Sequence, residues 1–162
     1  MNNDNTYISK KDAQLKLQTY CAYRDRCHSE VRWKLISLKI FGDDLEEIIV
    51  ELIKDNFLNE ERYAKSYARG KFRIKHWGRM RIRRELKFRK VSEYCIKQGM
   101  AEIEDEAYFE TAVKLSKTYY EKQKGIEPLR RKKTFSYMMS KGYESWIIND
   151  ILQELRKQYN NG

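Results

Sequence analysis

Residues 79–100 read RMRIRRELKFRKVSEYCIKQGM, and four apolar positions in this stretch have counterparts both upstream and downstream. At an offset of 51 to 52 residues, Leu35, Leu86 and Met138 correspond, as do Ile40, Val91 and Tyr143. Leu45, Ile96 and Ile148 follow, then Ile49, Met100 and Leu152. A spacing that recurs three times marks a repeat architecture. The segments that precede these blocks repeat more loosely, with Leu58-Asn59-Glu60-Glu61-Arg62-Tyr63 echoed by Ile103-Glu104-Asp105-Glu106-Ala107-Tyr108.

Each repeat is built from helices. The chain has one proline, seven glycines and few alternating segments, so it reads as all-α from about residue 9 to residue 158. Leu45, Ile48, Ile49, Leu52 and Ile53 follow the spacing of one helical face. Helices are expected near 10–26, 29–39, 43–55, 59–74, 79–90, 92–102, 105–124, 128–140 and 144–158. Ser9, Ser29 and Asn59 are expected N-caps, and Pro128 suits a first turn, where its missing N–H costs nothing. A three-helix unit buries too little surface alone, so three units stacked end to end should complete the core as an elongated, curved domain. The expected divisions are a flexible 1–8, then units at 9–57, 58–103 and 104–158, with residues 159–162 frayed.

Length and composition narrow the function. A chain of 162 residues, 41% hydrophobic, can bury a real core. Its apolar runs are too short to span a bilayer, and Met1 to Lys11 has no apolar signal region, so the expectation is a cytoplasmic protein with no membrane partner. Three cysteines without paired spacing fit a reducing compartment. Cys27-His28 lacks the further ligands of a zinc site, and no nucleophile or phosphate-loop motif is present. No catalytic residue, metal or cofactor is therefore nominated.

Charge is the strongest functional signal. Lys65 to Lys90 carries 12 Lys and Arg against Glu85 alone, or +11, whereas the rest of the chain sums to 22 basic and 23 acidic residues, or −1. Projected at 100° per residue, Arg62, Lys65, Arg69 and Arg73 form one stripe, and Arg79, Arg83, Lys87 and Lys90 form another. Neither stripe contains an acidic residue. Like charges at this spacing repel, so the two stripes, with Lys75 and Trp77 in the connection between them, are the expected surface for DNA or an acidic protein groove. Tyr63, Tyr67 and Ile74, with Ile82 and Leu86, are expected to face inward. Met80 and Phe88, with Arg84 between them, are expected to bury a second face, and Trp77 to plug the corner between helices.

These residues carry a resemblance. Leu58-Asn59-Glu60-Glu61-Arg62-Tyr63-Ala64-Lys65-Ser66-Tyr67 resembles the acidic-basic-aromatic-Ala signature of the RecX family. Gly78-Arg79-Met80-Arg81-Ile82-Arg83-Arg84-Glu85-Leu86 is similar to that family's G-x-x-x-I-x-x-E-L segment, and Glu30-Val31-Arg32-Trp33-Lys34-Leu35 to its E-L-x-x-K-L. The resemblance implies tandem three-helix repeats and a monomeric bacterial regulator of the RecA recombinase in DNA repair, recombination and the SOS response. Such a regulator would bind the RecA filament on single-stranded DNA, in its groove, and curb its activities, with double-stranded DNA a further partner. The alternative is a sequence-nonspecific nucleic-acid-binding helical module without a filament partner. One departure stands out: the family tends to place glycine after the middle helix of each repeat, as Gly142 does, but Lys39 and Lys90 hold the matching positions. Those two turns are expected to be strained or differently shaped.

Overall fold

A computed structural model describes residues 7–160. Among the described residues the chain forms nine α-helices and no strand: α1 (Lys10–Tyr23), α2 (His28–Ser37), α3 (Gly42–Lys54), α4 (Glu60–Arg73), α5 (Arg79–Phe88), α6 (Glu93–Met100), α7 (Asp105–Lys122), α8 (Glu127–Lys141) and α9 (Ser145–Asn160). Ser9, Asn59 and Ser92 cap α1, α4 and α6, each accepting a backbone N–H three residues on at 3.0 to 3.2 Å. Pro128 lies in the first turn of α8. Ser29 is not a cap. Helix α2 begins one residue earlier, with Cys27 at the N-cap, and the Ser29 hydroxyl donates to the Arg89 carbonyl at 2.9 Å, tying α2 to the turn after α5.

The helices pack in threes, each against the other two of its own group. The groups meet through corners and caps. After the middle helix of each group the chain makes the same turn: the N–H of Ile40, Val91 and Tyr143 donates to the carbonyl of Leu35, Leu86 and Met138, at 3.0, 3.1 and 3.2 Å. The residues at the bend, Lys39, Lys90 and Gly142, all have positive φ, of 63°, 60° and 99°. The turn therefore keeps one shape across the repeats, and the two lysines adopt the left-handed conformation despite its steric cost.

Two buried clusters hold the chain together. One is built on the first group, on Leu17, Val31, Leu35, Ile48 and Leu52, and reaches Leu58 before α4, with half-buried Ile8 against it. The other runs through the second and third groups without a break, from Tyr63 and Phe72 through Leu86 and Ile96 to Tyr108, Tyr143 and Ile151, and takes in Cys27. The part of the expected flexible N-terminus that covers residues 1–6 lies outside the described residues, as do residues 161 and 162 of the expected frayed end. Residues 159 and 160 belong to α9, and the Tyr159 hydroxyl bonds the Glu121 carboxylate. The protein exposes 10741 Å², against roughly 8,600 Å² for a compact monomer of this mass.

Several apolar residues lie elsewhere than the sequence suggests. Ile74 is 76% exposed, because α4 ends at Arg73 and the helical projection does not hold past the point where the helix stops. Ile53 is also exposed, in the last turn of α3. Met80 and Phe88 do not form a second buried face: Phe88 is 82% exposed and Met80 48%, because the neighbouring groups meet α5 at its ends rather than along this side.

Candidate functional site

The central group presents the basic segment on α4, α5 and their connection. Arg62 lies at the joint with the first group, where its guanidinium donates to Asp25 at 2.7 Å and to Asn56 and the Phe57 carbonyl at 3.3 Å. Arg79 does the equivalent at the joint with the third group. It donates to Asp105 at 2.6 Å and to the Ile103 carbonyl at 3.0 Å, and it lies 4.1 Å from the Tyr108 ring centroid. The Tyr108 hydroxyl accepts the Arg79 backbone N–H and donates to Glu144, and burial raises its pKa well above the ordinary phenol value. Both arginines are structural clamps.

Four further stripe residues have carboxylate partners. Lys65 pairs with Glu61 at 3.2 Å, Arg69 with Glu102 at 3.3 Å, and Arg83 and Lys87 share Glu93 at 3.3 and 3.2 Å. Only Arg73 and Lys90 of the two stripes, and Lys75 between them, have no carboxylate within ion-pair distance among the described residues. Six of the eight stripe cations thus have carboxylate partners within the protein, so repulsion along the stripes does not by itself demand an outside partner. A helical projection shows only the residues of one helix, and Glu93, Glu102 and Asp105 arrive from neighbouring elements. Exposed pairs of this kind are worth about 0–1 kcal/mol, so Lys65, Arg69, Arg83 and Lys87 can exchange a carboxylate for a phosphate at little cost. Arg62 cannot, since several partly buried bonds would break together.

The corner between α4 and α5 docks on the corner between α8 and α9. The Gly78 N–H donates to the Lys141 carbonyl at 2.7 Å, the Met80 N–H to the Gly142 carbonyl at 3.0 Å, and the Tyr143 hydroxyl to the His76 carbonyl at 2.9 Å. Trp77 is half-buried against the shared core, as a corner plug, with the Arg81 guanidinium 4.1 Å and the Lys71 ammonium 4.8 Å from its ring. Lys141 donates to the Lys75 carbonyl at 2.7 Å, and Arg81 to the Ser140 carbonyl at 3.3 Å. Burial, then Arg81, then Lys75 push the Lys141 pKa below its ordinary value. Sequence reasoning does not single out Lys71, Arg81, Arg84 and Lys141 for this surface. Lys141 lies in a different repeat, and the other three fall outside the stripes.

Among the described residues no group of three His, Cys, Asp or Glu could hold a metal ion, and no helix is long and apolar enough to cross a membrane.

Residues 59–100 match the family model described as RecX, second three-helix domain. "Regulatory protein RecX" of Clostridium perfringens is 31% identical over 158 residues, covering 94% of this chain and 71% of that protein. The chain belongs to the RecX family. "Regulatory protein RecX" of Prosthecochloris aestuarii is 25% identical over 84% of this chain and 88% of its own length. The crystal structure of RecX from Lactobacillus salivarius superposes with a TM-score of 0.80 at 26% identity, over 91% of this chain and 96% of that one. A second crystal structure, of regulatory protein RecX, is 23% identical and gives the same TM-score over 88% of this chain and 72% of that one, a likeness of fold. The match to the RecX second domain spans the central unit, where the basic surface lies.

Proposed function

We propose that the chain regulates a RecA recombinase by binding the RecA filament on single-stranded DNA, with the units 9–57, 58–103 and 104–158 laid along the filament groove and the central unit as the main contact. Family membership supports the partner. The observation that carries the contact is electrostatic: the +11 segment leaves Arg73, Lys75 and Lys90 without carboxylates, and beside them lie weakly paired Arg69 and Arg83, half-buried, and exposed Lys87. An oriented basic field of this kind steers the protein towards phosphates and acidic grooves alike. The action proposed is binding and obstruction rather than chemistry.

The test is charge reversal confined to residues that hold nothing else in place. Arg73→Glu, Lys75→Glu and Lys90→Glu together should leave the helical circular dichroism signal unchanged. Inhibition of RecA strand exchange and of RecA ATP hydrolysis should fall at least tenfold, whereas Arg156→Glu with Lys157→Glu should matter much less. A folded triple variant that inhibits at the parent concentration would remove the central surface from the interface. Equal affinity of the parent for bare and RecA-coated single strands would favour the plain nucleic-acid-binding module instead.

A further inference from the structure

The outer side of α5 has a composition that a solvated helix face does not need. Met80, Arg84 and Phe88 follow one another at four-residue steps, and all three are exposed, Phe88 almost entirely. Arg84 makes no hydrogen bond or ion pair among the described residues. With Arg83, Lys87 and Met139 of α8, Met80 and Arg84 line a shallow groove between α5 and α8. At the N-terminal end of this side lies the corner where Arg81, Lys75 and Lys141 come together, the polar contacts of Arg81 and Lys141 made to backbone carbonyls rather than carboxylates. Each retains unused donors, since a guanidinium has five N–H groups and an ammonium three.

We propose that this face is a track for a single nucleic-acid strand, in which Lys75, Arg81, Arg84 and Lys141 hold consecutive phosphates and Phe88 stacks on a base. The inference deepens the filament reading and rests on it for the biological source of the strand. A row of cations without carboxylates supplies the sequence-independent attraction of a polyphosphate. The exposed aromatic at its end selects the single-stranded form, because only unpaired bases offer a face to stack on. Lys141 adds to the case: its ammonium is disfavoured by burial and by two cationic neighbours, and a phosphate at the corner would offset all three.

The probe is fluorescent oligo-dT, titrated with the intact 162-residue chain over a series of salt concentrations. Lys75→Gln with Arg84→Gln removes two exposed charges that make no side-chain bond, so folding is not at risk, and it should lower the log-log salt slope by about 1.4, or 0.7 for each phosphate no longer neutralised. Phe88→Ala, equally safe for the fold, should weaken oligo-dT binding roughly 5- to 150-fold and leave duplex binding almost unchanged. An unchanged slope in the double variant, or an equal effect of Phe88→Ala on single strand and duplex, overturns the track. If the double variant keeps oligo-dT affinity but no longer binds RecA-coated DNA, the face belongs to an acidic protein surface, which also overturns it. Parent binding to RecA-coated DNA, measured alongside, reports on the filament reading independently.

Discussion

Lys39, Lys90 and Gly142 occupy one turn three times, and the difference between them has a physical cause. An ideal Cβ on Gly142 would lie 2.3 Å from the Arg81 Cβ and one on Gly78 2.3 Å from the Gly142 carbonyl carbon, so the joint between the second and third units closes only where both residues are glycine. Lys39 and Lys90 are exposed, and only the backbone penalty of roughly 1–2 kcal/mol applies to them. Lys90→Gly should therefore stabilise the protein by about 0.5–1 kcal/mol, once the greater freedom of glycine in the unfolded chain is counted. Gly142→Ala should destabilise it by more than about 2 kcal/mol, because the docked corner must part. Urea midpoints of the two variants measure both. Cys21 gives a pH prediction. Burial raises its thiol from about 9 to about 11, so the folded chain holds a proton that the unfolded chain has released, and stability should fall as pH rises through that window. Denaturation at pH 9 and pH 11 tests the sign, and the part of the fall that Cys21→Ala removes is the cysteine's share, since Tyr63, Tyr108 and Tyr143, also raised by burial, add a fall of the same sign.

At the scale of elements, close approach is set by one glycine. Helices α4 and α6 meet where Gly99 faces Ala64, and a Cβ on Gly99 would lie 2.7 Å from the Ala64 carbonyl oxygen. Gly99→Ala should cost about 1–3 kcal/mol by forcing α4 and α6 apart, read as a fall in melting temperature. The helices themselves are legible in the sequence, because period, caps and Pro128 are local signals that survive without knowledge of neighbours. The threefold register is legible too, since Leu35, Leu86 and Met138 serve the same turn and so keep the same character. What is not legible is what each helix meets. A projection extended one residue too far turns Ile74 inward, and Met80 and Phe88 turn inward only if neighbours are supposed that do not cover them. The same limit applies to the candidate site: Trp77 and the cationic character of the segment are visible, but not that Arg62 and Arg79 are clamps or that Lys141 joins the corner from another repeat.

The whole molecule has two cores of unequal extent, one built on the first unit and reaching Leu58, the other running through the second and third units and taking in Cys27 of the first. Small-angle scattering should show an elongated monomer and circular dichroism a predominantly helical one; a compact sphere would contradict the end-to-end joining of units. Besides the burial of Cys27 in the larger core and of Leu58 in the smaller, polar bonds attach the first unit to the second: Arg62 to Asp25, Ser29 to the Arg89 carbonyl, and Glu60, whose carboxylate accepts the N–H of His28 at 3.2 Å and, within its own unit, that of Ser92 at 3.1 Å. A single carboxylate thus closes the N-termini of two helices in different units, α2 and α6, where the positive ends of both helix dipoles favour it. Because the two amides bond different oxygens of one carboxylate, loss of the Glu60 side chain exposes both to solvent deuterium. Glu60→Ala should lower protection at both positions while amides deep in α5 and α8 keep theirs, whereas separation of the first unit from the second breaks only the His28 bond, because Glu60 and Ser92 belong to the same unit. The exchange rate at His28, read against that at Ser92, then becomes a direct gauge of how often the first unit swings away from the rest.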